Sequence, residues 1–149
     1  MIVSAIISDV KELTEIALKS KAYWGYSNDL IESWRTDLTV TSIMIFECNV
    51  FKFLLENKIV GFYILNPPKE NKIELEMLFV LPDFIGRGIG KRLLEHSFEK
   101  ALELNVKSLS LLADPNAVPF YKSKGFYKID KKESSIFGRF LPVMQKDLK

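Results

Sequence analysis

The hydrophobic and polar positions along the chain predict short strands alternating with amphipathic helices. Asp9, with Glu12 three residues later, predicts the start of a first helix, and Ser27 predicts the start of a second. Apolar runs rich in β-branched and aromatic residues predict strands over residues 2–7, 50–55, 59–65, 73–80, 108–113, 126–133 and 139–148. Gly61, inside one of these strands, indicates a bulge or a close backbone approach. The run Ile43–Phe46 is too short for its periodicity to distinguish a strand from a helix.

The stretch 73–94 joins a predicted strand to a predicted helix through a glycine-rich loop. The strand ends at Pro82, and apolar residues return at helical spacing from Ile89 to Asn105. Three glycines lie between them, at positions 86, 88 and 90. Glycines allow positive φ, so several backbone N–H groups can point at one anion, and the start of a helix adds further unpaired donors. The stretch therefore predicts a phosphate-binding loop.

Two common phosphate-binding motifs do not fit this loop. A Walker loop requires Ser or Thr after its Gly-Lys pair, but Arg92 follows Gly90-Lys91. The dinucleotide-binding fingerprint requires its third glycine where Lys91 stands.

A second block, Asp114–Phe126, contains a predicted helix that ends at Gly125, a typical residue just after a helix.

Together, the two blocks resemble motifs A and B of the GNAT acyl-CoA N-acetyltransferases. Ile85–Gly90 is similar to the motif A pattern Gln/Arg-x-x-Gly/Ala-x-Gly/Ala, although Ile85 replaces the usual Gln or Arg. That replacement removes an expected side-chain contact to the cofactor but leaves the backbone N–H groups. The second block is similar to Asn-x-x-Ala-x-x-x-Tyr followed by Gly-Phe, with Asp114 in place of the Asn and Asn116 two residues later. The resemblance covers about two thirds of the chain.

The resemblance implies one GNAT-like α/β (α+β) domain over residues 1–149, with a mixed, mostly antiparallel central sheet. The order of the predicted elements likewise indicates a mixed sheet with helices on both faces. The implied cosubstrate is acetyl-CoA (coenzyme A), with its pyrophosphate on the N–H groups of residues 86–91. The residues expected to bind it are Leu78, Phe79, Val80, Ile85, Gly86, Arg87, Gly88, Ile89, Gly90, Lys91, Asp114, Asn116, Phe120 and Tyr121.

Three side chains are candidates for catalysis. Glu74 and Glu76 are two residues apart on a predicted strand and therefore point to the same face. A carboxylate there is either solvated or partly buried, and partial burial would raise its pKa toward that of a general base. The resemblance favours Glu74 as the base, with Glu76 as second choice through a bound water. It also implies that Tyr121 protonates the departing thiolate, the alternative being a core aromatic.

Four further residues are expected at the acceptor. Three of them are aromatic residues at the end of the first helix: Tyr23, Trp24 and Tyr26. They either pack beneath the helix or, as the resemblance implies, cover the acceptor site. Arg139, in the segment 136–140, is expected to bind an anionic group of the acceptor through paired hydrogen bonds. The alternative is that Arg139 pairs with a structural carboxylate such as Asp37.

Composition excludes several other classes of protein. The chain has 149 residues, enough for one domain, and 21 Lys and Arg against 19 Asp and Glu give a net charge of +2. This balance disfavours nucleic acid as a partner, and the lysines between positions 122 and 132 are interleaved with acidic residues, as on a solvated face. A single cysteine, Cys48, excludes an internal disulfide and a structural zinc site, and His96 has no residue at ligand spacing, so we expect no metal. Absence of a membrane-spanning run and of a signal peptide predicts the cytoplasm.

The resemblance thus predicts an N-acetyltransferase that moves an acetyl group directly from acetyl-CoA to an amine. A primary amine of a small molecule, an amino acid or a peptide is the expected acceptor. The alternative is a non-catalytic acyl-CoA-binding module in which Glu74 and Tyr121 are structural. The sequence leaves open whether the chain forms a homodimer.

Overall fold

A computed structural model of the protein describes residues 1–134 and 139–148, which form a single mixed sheet flanked by helices. The strands are β1 (Ile2–Ser4), β2 (Asn49–Leu55), β3 (Lys58–Leu65), β4 (Lys72–Val80), β5 (Ser108–Leu112), β6 (Tyr127–Glu133) and β7 (Phe140–Asp147). The helices are α1 (Val10–Ala22), α2 (Asn28–Ser33), α3 (Arg35–Leu38), α4 (Ser42–Glu47), α5 (Ile89–Glu103) and α6 (Val118–Ser123).

The strands lie in the order β1-β2-β3-β4-β5-β7-β6. Neighbouring strands are antiparallel except β4 and β5, which run parallel because α5 connects them as a crossover. Helix α1 packs on one face of β3 and β4, and α5 packs on the other. The predicted mixed, mostly antiparallel sheet with helices on both faces is confirmed.

Strand β3 separates two hydrophobic cores. Tyr63 and Leu65 face the core under α5, whereas Phe62 and Ile64 face the core under α1 to α4. All four side chains are fully buried. A strand that is covered on both faces has an unbroken apolar sequence rather than an alternating one, which is what residues 59–65 show.

Gly61 lies where α5 crosses β3. A Cβ at this position would come within 2.9 Å of the carbonyl oxygen of Phe79 and 3.0 Å of a methyl carbon of Leu93. The pairing of β2 with β3 also shifts beside it, because Phe53 pairs with Gly61 and Leu54 with Ile59. Both features predicted from this glycine, a close approach and a bulge, are present.

Strand β4 contains a bulge and then separates from β5. Ile64 of β3 pairs with Met77, but the next residue, Leu65, pairs with Leu75, which leaves Glu76 as the extra residue. On its other side, β4 pairs with β5 only through residues 72–74. The sheet therefore opens between β4 and β5 beyond Glu74, and the candidate site lies at this opening.

Helix α1 begins directly after Asp9, as predicted, but the Asp9 side chain does not cap it. The first strand ends at Ser4 and is followed by a 3₁₀ turn, Ile7–Asp9. The Asp9 carboxylate accepts a hydrogen bond from the Ile6 N–H at 2.8 Å and pairs with the Lys52 ammonium at 2.7 Å. A buried ion pair with β2 thus replaces the expected interaction with the start of α1.

The region between α1 and β2 is helical. Ser27 caps α2 as predicted, since its hydroxyl accepts from the Leu30 N–H. The run Ile43–Phe46 lies in α4, whose start is capped by the Thr41 hydroxyl accepting from the Met44 N–H. In residues 1–134 and 139–148, no helix combines the length and apolar character needed to cross a membrane.

Candidate active site

The glycine-rich loop between β4 and α5 presents a row of backbone N–H groups without partners. Gly86 and Gly88 adopt φ of +88° and +78°, and Gly88 is the N-cap of α5. Within the described residues, none of the N–H groups of positions 86–91 donates a hydrogen bond, although those of Ile85 and Arg92 on either side do. The dipole of α5 adds positive potential at the same place. This loop can therefore bind an anion through its backbone.

A cavity of about 310 Å³ extends from this loop along the opening between β4 and β5. We call it the loop cavity. The residues predicted to bind cofactor that line it are Leu78, Phe79, Val80, Ile85, Gly90, Asp114, Asn116, Phe120 and Tyr121. Leu75, Leu111 and Ala117 complete an apolar wall that can hold an uncharged acyl chain and its linker.

Two backbone N–H groups of β4 point into the opening. The N–H of Leu81 bonds to the Val60 oxygen on β3 at 2.8 Å. Because successive residues of a strand direct their N–H groups to alternate sides, those of Leu78 and Val80 point away from β3. On that side β5 has already separated from β4. These groups are suitably placed to donate to an oxygen that carries developing negative charge.

A second cavity, of about 830 Å³, contains the side chains of Glu74 and Glu76. We call it the carboxylate cavity. Its wall also includes Asp37, Lys132 and Arg139, which lie on or beside α3, β6 and β7. The two cavities share Lys21, Leu75, Glu76, Met77, Phe79, Leu112 and Asp114. They therefore meet at the opening in the sheet.

Glu74 and Glu76 are held together by one amide. Asn66 Nδ2 donates to Glu74 Oε1 at 2.8 Å and to Glu76 Oε2 at 3.0 Å. Partial burial raises the pKa of Glu74, and the Glu76 carboxylate raises it further, while the Asn66 hydrogen bond and Lys132 act in the opposite direction. The net pKa shift of Glu74 is upward. Such a carboxylate accepts a proton more readily than an ordinary glutamate does.

Tyr121 lines the loop cavity. Its ring packs edge-on against Phe120 and Phe126, and only 8% of the residue is exposed. Its hydroxyl makes no hydrogen bond to any described residue. Burial, followed by the nearby Asp114 carboxylate, raises the pKa of Tyr121. The hydroxyl therefore stays protonated and has a proton to donate.

Asp114 lies at the centre of a polar network at the junction of the two cavities. Its carboxylate pairs with the Lys21 ammonium at 2.5 Å and accepts from the Tyr26 hydroxyl at 3.0 Å and the Asn116 N–H at 2.9 Å. Burial alone would raise the pKa of Asp114, but the bonds from Lys21 and Asn116 outweigh it and the pKa is lowered. Arg139 Nη2 donates to the Tyr26 hydroxyl at 2.7 Å and lies 4.0 Å from Asp114.

The sequence model of the Acetyltransferase (GNAT) family matches residues 14–126, well over half of the chain. The chain belongs to the GNAT acetyltransferase family. The predicted family is confirmed. The free N–H groups of residues 86–91 and the apolar loop cavity fit acetyl-CoA, the cosubstrate that the resemblance to this family predicts.

Two relatives illustrate the similarity in sequence. This GNAT chain is 34% identical over 87 residues to the peptidyl-lysine N-acetyltransferase YjaB of Salmonella typhimurium, covering 57% of this chain and 54% of that protein. It is 31% identical over 87 residues to an uncharacterized N-acetyltransferase, ycf52, of Gracilaria tenuistipitata var. liui, covering 58% of this chain and 45% of that protein. The chain spans about half the length of the curated relatives it matches.

Two solved structures show the same fold. The PaiA N-acetyltransferase of Thermoplasma acidophilum, in complex with coenzyme A, superposes with a TM-score of 0.85 at 23% identity, covering 99% of this GNAT chain and 98% of that one. The ribosomal-protein-S18-alanine N-acetyltransferase of Escherichia coli superposes with a TM-score of 0.74 at 20% identity, covering 99% and 93%.

The remaining predicted residues of this GNAT chain lie at the margins of the two cavities. Trp24 lines the loop cavity, whereas Tyr23 packs edge-on against Trp24, is 51% exposed and lines neither cavity. The Arg87 guanidinium lies over the Phe84 ring, 4.8 Å from its centre. The side chain of Ile89 is buried in the core, so only its N–H group faces the loop. Residues 136–138, part of the segment named with Arg139, lie outside the described residues.

Three site residues of this GNAT chain were missed by sequence reasoning: Lys21, Asn66 and Lys132. Lys21 and Lys132 resembled ordinary surface lysines. Their roles depend on groups distant in sequence, because Lys21 pairs with Asp114 and the charge of Lys132 lowers the pKa of Glu74. Asn66 carried a usable signal. It directly follows β3, and an antiparallel return places the end of β3 beside the start of β4, where Glu74 and Glu76 lie.

Proposed function

We propose that this chain is an N-acetyltransferase that moves an acetyl group from acetyl-CoA directly to a primary amine. The observation that carries the proposal is the meeting of the two cavities at the opening between β4 and β5. One cavity begins at a loop of free backbone N–H groups, and the other contains a pair of carboxylates. An anionic thioester cofactor and a basic acceptor would thus meet at a single point.

In this proposal Glu74 accepts the proton that the acceptor ammonium loses, directly or through water. When bound, acetyl-CoA supplies an activated acetyl thioester. The N–H groups of Leu78 and Val80 donate to the thioester oxygen as it becomes negative. Tyr121, which lines the loop cavity and is protonated, donates a proton to the sulfur as the carbon–sulfur bond breaks, and it regains a proton from the second one that the nitrogen loses when the amide forms.

The carboxylate cavity favours an acceptor that carries an anionic group as well as its amine. In the described part of the chain, Arg139 uses only Nη2, toward Tyr26, so its Nε and Nη1 groups remain available to a ligand. The cavity is large enough for an amino acid or a peptide end. The names of two similar proteins, a peptidyl-lysine and an S18-alanine N-acetyltransferase, support amines of polypeptides as candidates. The cytoplasm remains our proposed compartment, because one cysteine allows no internal disulfide.

The proposal is tested by following thiol release from acetyl-CoA in the presence of a panel of amines, with products identified by mass spectrometry. The panel contains a lysine peptide, a peptide with an N-terminal alanine, free amino acids and small amines. We expect Glu74→Gln to lower kcat by about 100-fold, as for a lost general base, with little change in CoA affinity. Glu76→Gln serves as the matched variant.

Each outcome has a defined meaning. Loss of turnover in Glu76→Gln alone would make Glu76 the base. Full activity in both single variants would mean that catalysis depends on positioning rather than on a carboxylate. Tight CoA binding with no turnover of any amine would contradict the enzyme proposal and favour the alternative, a non-catalytic acyl-CoA-binding module.

A further inference from the structure

Asn66 connects the end of β3 to the carboxylates of β4. Its backbone N–H donates to the Glu74 carbonyl oxygen at 2.9 Å, which fixes the residue beside Glu74. Its side-chain nitrogen donates one hydrogen bond to each carboxylate, at 2.8 and 3.0 Å. Since the bulge makes Glu76 the extra residue of β4, both glutamates lie within reach of this single amide.

The opposite end of the Asn66 amide is also held. The Cys48 thiol donates to Asn66 Oδ1, with Sγ 3.7 Å from the oxygen. Burial, followed by the charges of Glu47 and Glu76, raises the pKa of Cys48, so the thiol keeps its proton. The amide oxygen therefore faces Cys48, and both N–H groups of the nitrogen face the carboxylates.

Holding two carboxylates side by side has an energetic cost. Like charges at short distance disfavour ionisation of both groups, and the pair tends to retain a proton. Hydrogen bonds donated to the ionised form oppose this tendency. A lysine in the same place would also do so, but its positive charge would weaken the base. A neutral amide with two donors stabilises both carboxylates and leaves their combined charge unchanged.

We propose that Asn66 is a positioning residue that holds Glu74 and Glu76 as one ionised pair facing the acceptor amine. The proposal rests on the proposed function, because it assigns the pair to proton acceptance. It predicts that acetyl transfer remains active at a lower pH with Asn66 than without it. The alternative is that Asn66 only closes the connection between β3 and β4.

Other charged groups around the pair set the background for this effect. Lys132 of β6 lowers the pKa of Glu74, as does Asn66 itself. The remaining charged and titratable groups that line the cavity or face the amide are Lys21, Asp37, Glu47, Cys48, Asp114, Glu133 and Arg139. All of them are unchanged in an Asn66 variant, so a shift in Asn66→Ala, which adds no charge, reports the loss of the amide donors.

The test compares kcat/KM across pH 5.5–9 for wild type and Asn66→Asp, using the same acceptor. Aspartate has the same shape but replaces two donors by a third carboxylate. The acid limb of the pH profile, where kcat/KM falls as the pH is lowered, should therefore move to higher pH. We expect a loss of about tenfold at pH 6 and a much smaller loss at pH 9, because the carboxylates lose hydrogen bonds that favour their ionised form. Titration of the glutamate carboxyl carbons by NMR, assigned with Glu74→Gln and Glu76→Gln, measures the same shift without turnover.

One further variant makes the result specific. Asn66→Ala removes both donors without adding charge, so a shift of its acid limb to higher pH cannot come from a third carboxylate. It also replaces Asn66→Asp if that protein does not fold. A folded variant with unchanged acid limb and unchanged carboxyl titration would overturn the proposal. If no amine is turned over, the proposed function fails, but the NMR titration still decides the role of Asn66.

Discussion

The loop cavity and the carboxylate cavity meet along β4, but different parts of the chain form their functional groups. The loop cavity depends on backbone N–H groups from one continuous stretch, positions 78–91, and its side chains are mostly apolar. The carboxylate cavity depends on side chains from separate elements. They include Glu74 of β4, Lys132 of β6 and Arg139 beside β7, with Asn66 behind the carboxylates.

This difference affects both how each cavity recognises its ligand and how it responds to substitution. A backbone site depends more on particular φ angles than on side chains, so we expect the loop to bind its ligand with Ile85 in place of the usual motif residue. A site made of side chains can change its ligand through single substitutions and leaves little trace in a local motif. We therefore expect the largest losses from substitutions at the positive-φ glycines of the loop, and graded effects from variants of the carboxylate cavity.

The largest effect is expected for Gly88→Val. Gly88 has φ of +78°, which a β-branched residue rarely adopts, so the row of free N–H groups should be disrupted. Loss of two or more charge-assisted hydrogen bonds should weaken CoA binding by about 100-fold or more, measured by calorimetry. Asn105→Val, which places the same residue at φ of +61° at the opposite end of α5, controls for strain alone. Equal CoA affinity in folded Gly88→Val and wild type would contradict the assignment of the loop.

A smaller effect is expected for Tyr121→Phe. The change removes only the hydroxyl, because the ring contacts with Phe120 and Phe126 remain. Loss of a general acid should lower kcat by about 10- to 100-fold with CoA affinity unchanged. The effect should be weaker with an acyl donor whose leaving thiol is more acidic and needs no protonation. A rate equal to wild type with both donors would assign Tyr121 to the core.

The smallest effect is expected for Arg139→Lys. Lysine cannot reproduce a guanidinium that donates to Tyr26 and to an anionic acceptor at the same time, so the acceptor KM should rise by about 3- to 10-fold. The melting temperature should change little, since Lys21 continues to pair with Asp114. Arg92→Lys is the matched control. The Arg92 guanidinium lies over the Phe53 ring, as the Arg139 guanidinium lies over the Tyr26 ring, but Arg92 lines neither cavity. A large loss of stability with no change in KM would make Arg139 structural.

The fold was predictable because its signals are local. Apolar runs, Ser27 as a cap and the glycines of the loop each depend on residues close in sequence, and the structure has the corresponding elements. Two local patterns were insufficient. Asp9 resembled a cap but pairs with Lys52, which is 43 residues away. The run Ile43–Phe46 is helical because Thr41 caps it, and no periodicity in so short a run could show that.

The candidate site was predictable only in part, for the same reason. The phosphate-binding loop and Tyr121 are recognised from residues that are close together in sequence. The contact of Asn66 with both glutamates requires the register of β3 and β4 and the position of the bulge. Asp114 binds Tyr26 and Lys21, which precede it in the chain by 88 and 93 positions. No local spacing in the sequence indicates these contacts.

The close approach at Gly61 also affects the distance between the glycine-rich loop and the opening in the sheet. Helix α5 carries the phosphate-binding loop at its start, and Gly61 lets it rest directly on the sheet near Phe79. A cofactor that spans from the loop to the opening in the sheet has an extension limited by its covalent bonds. The distance between its two binding points on the protein must match that extension. A methyl group at Gly61 would push α5 away from the sheet and change this distance. We therefore expect a side chain at Gly61, which lines neither cavity, to change the distance between the glycine-rich loop and the opening in the sheet.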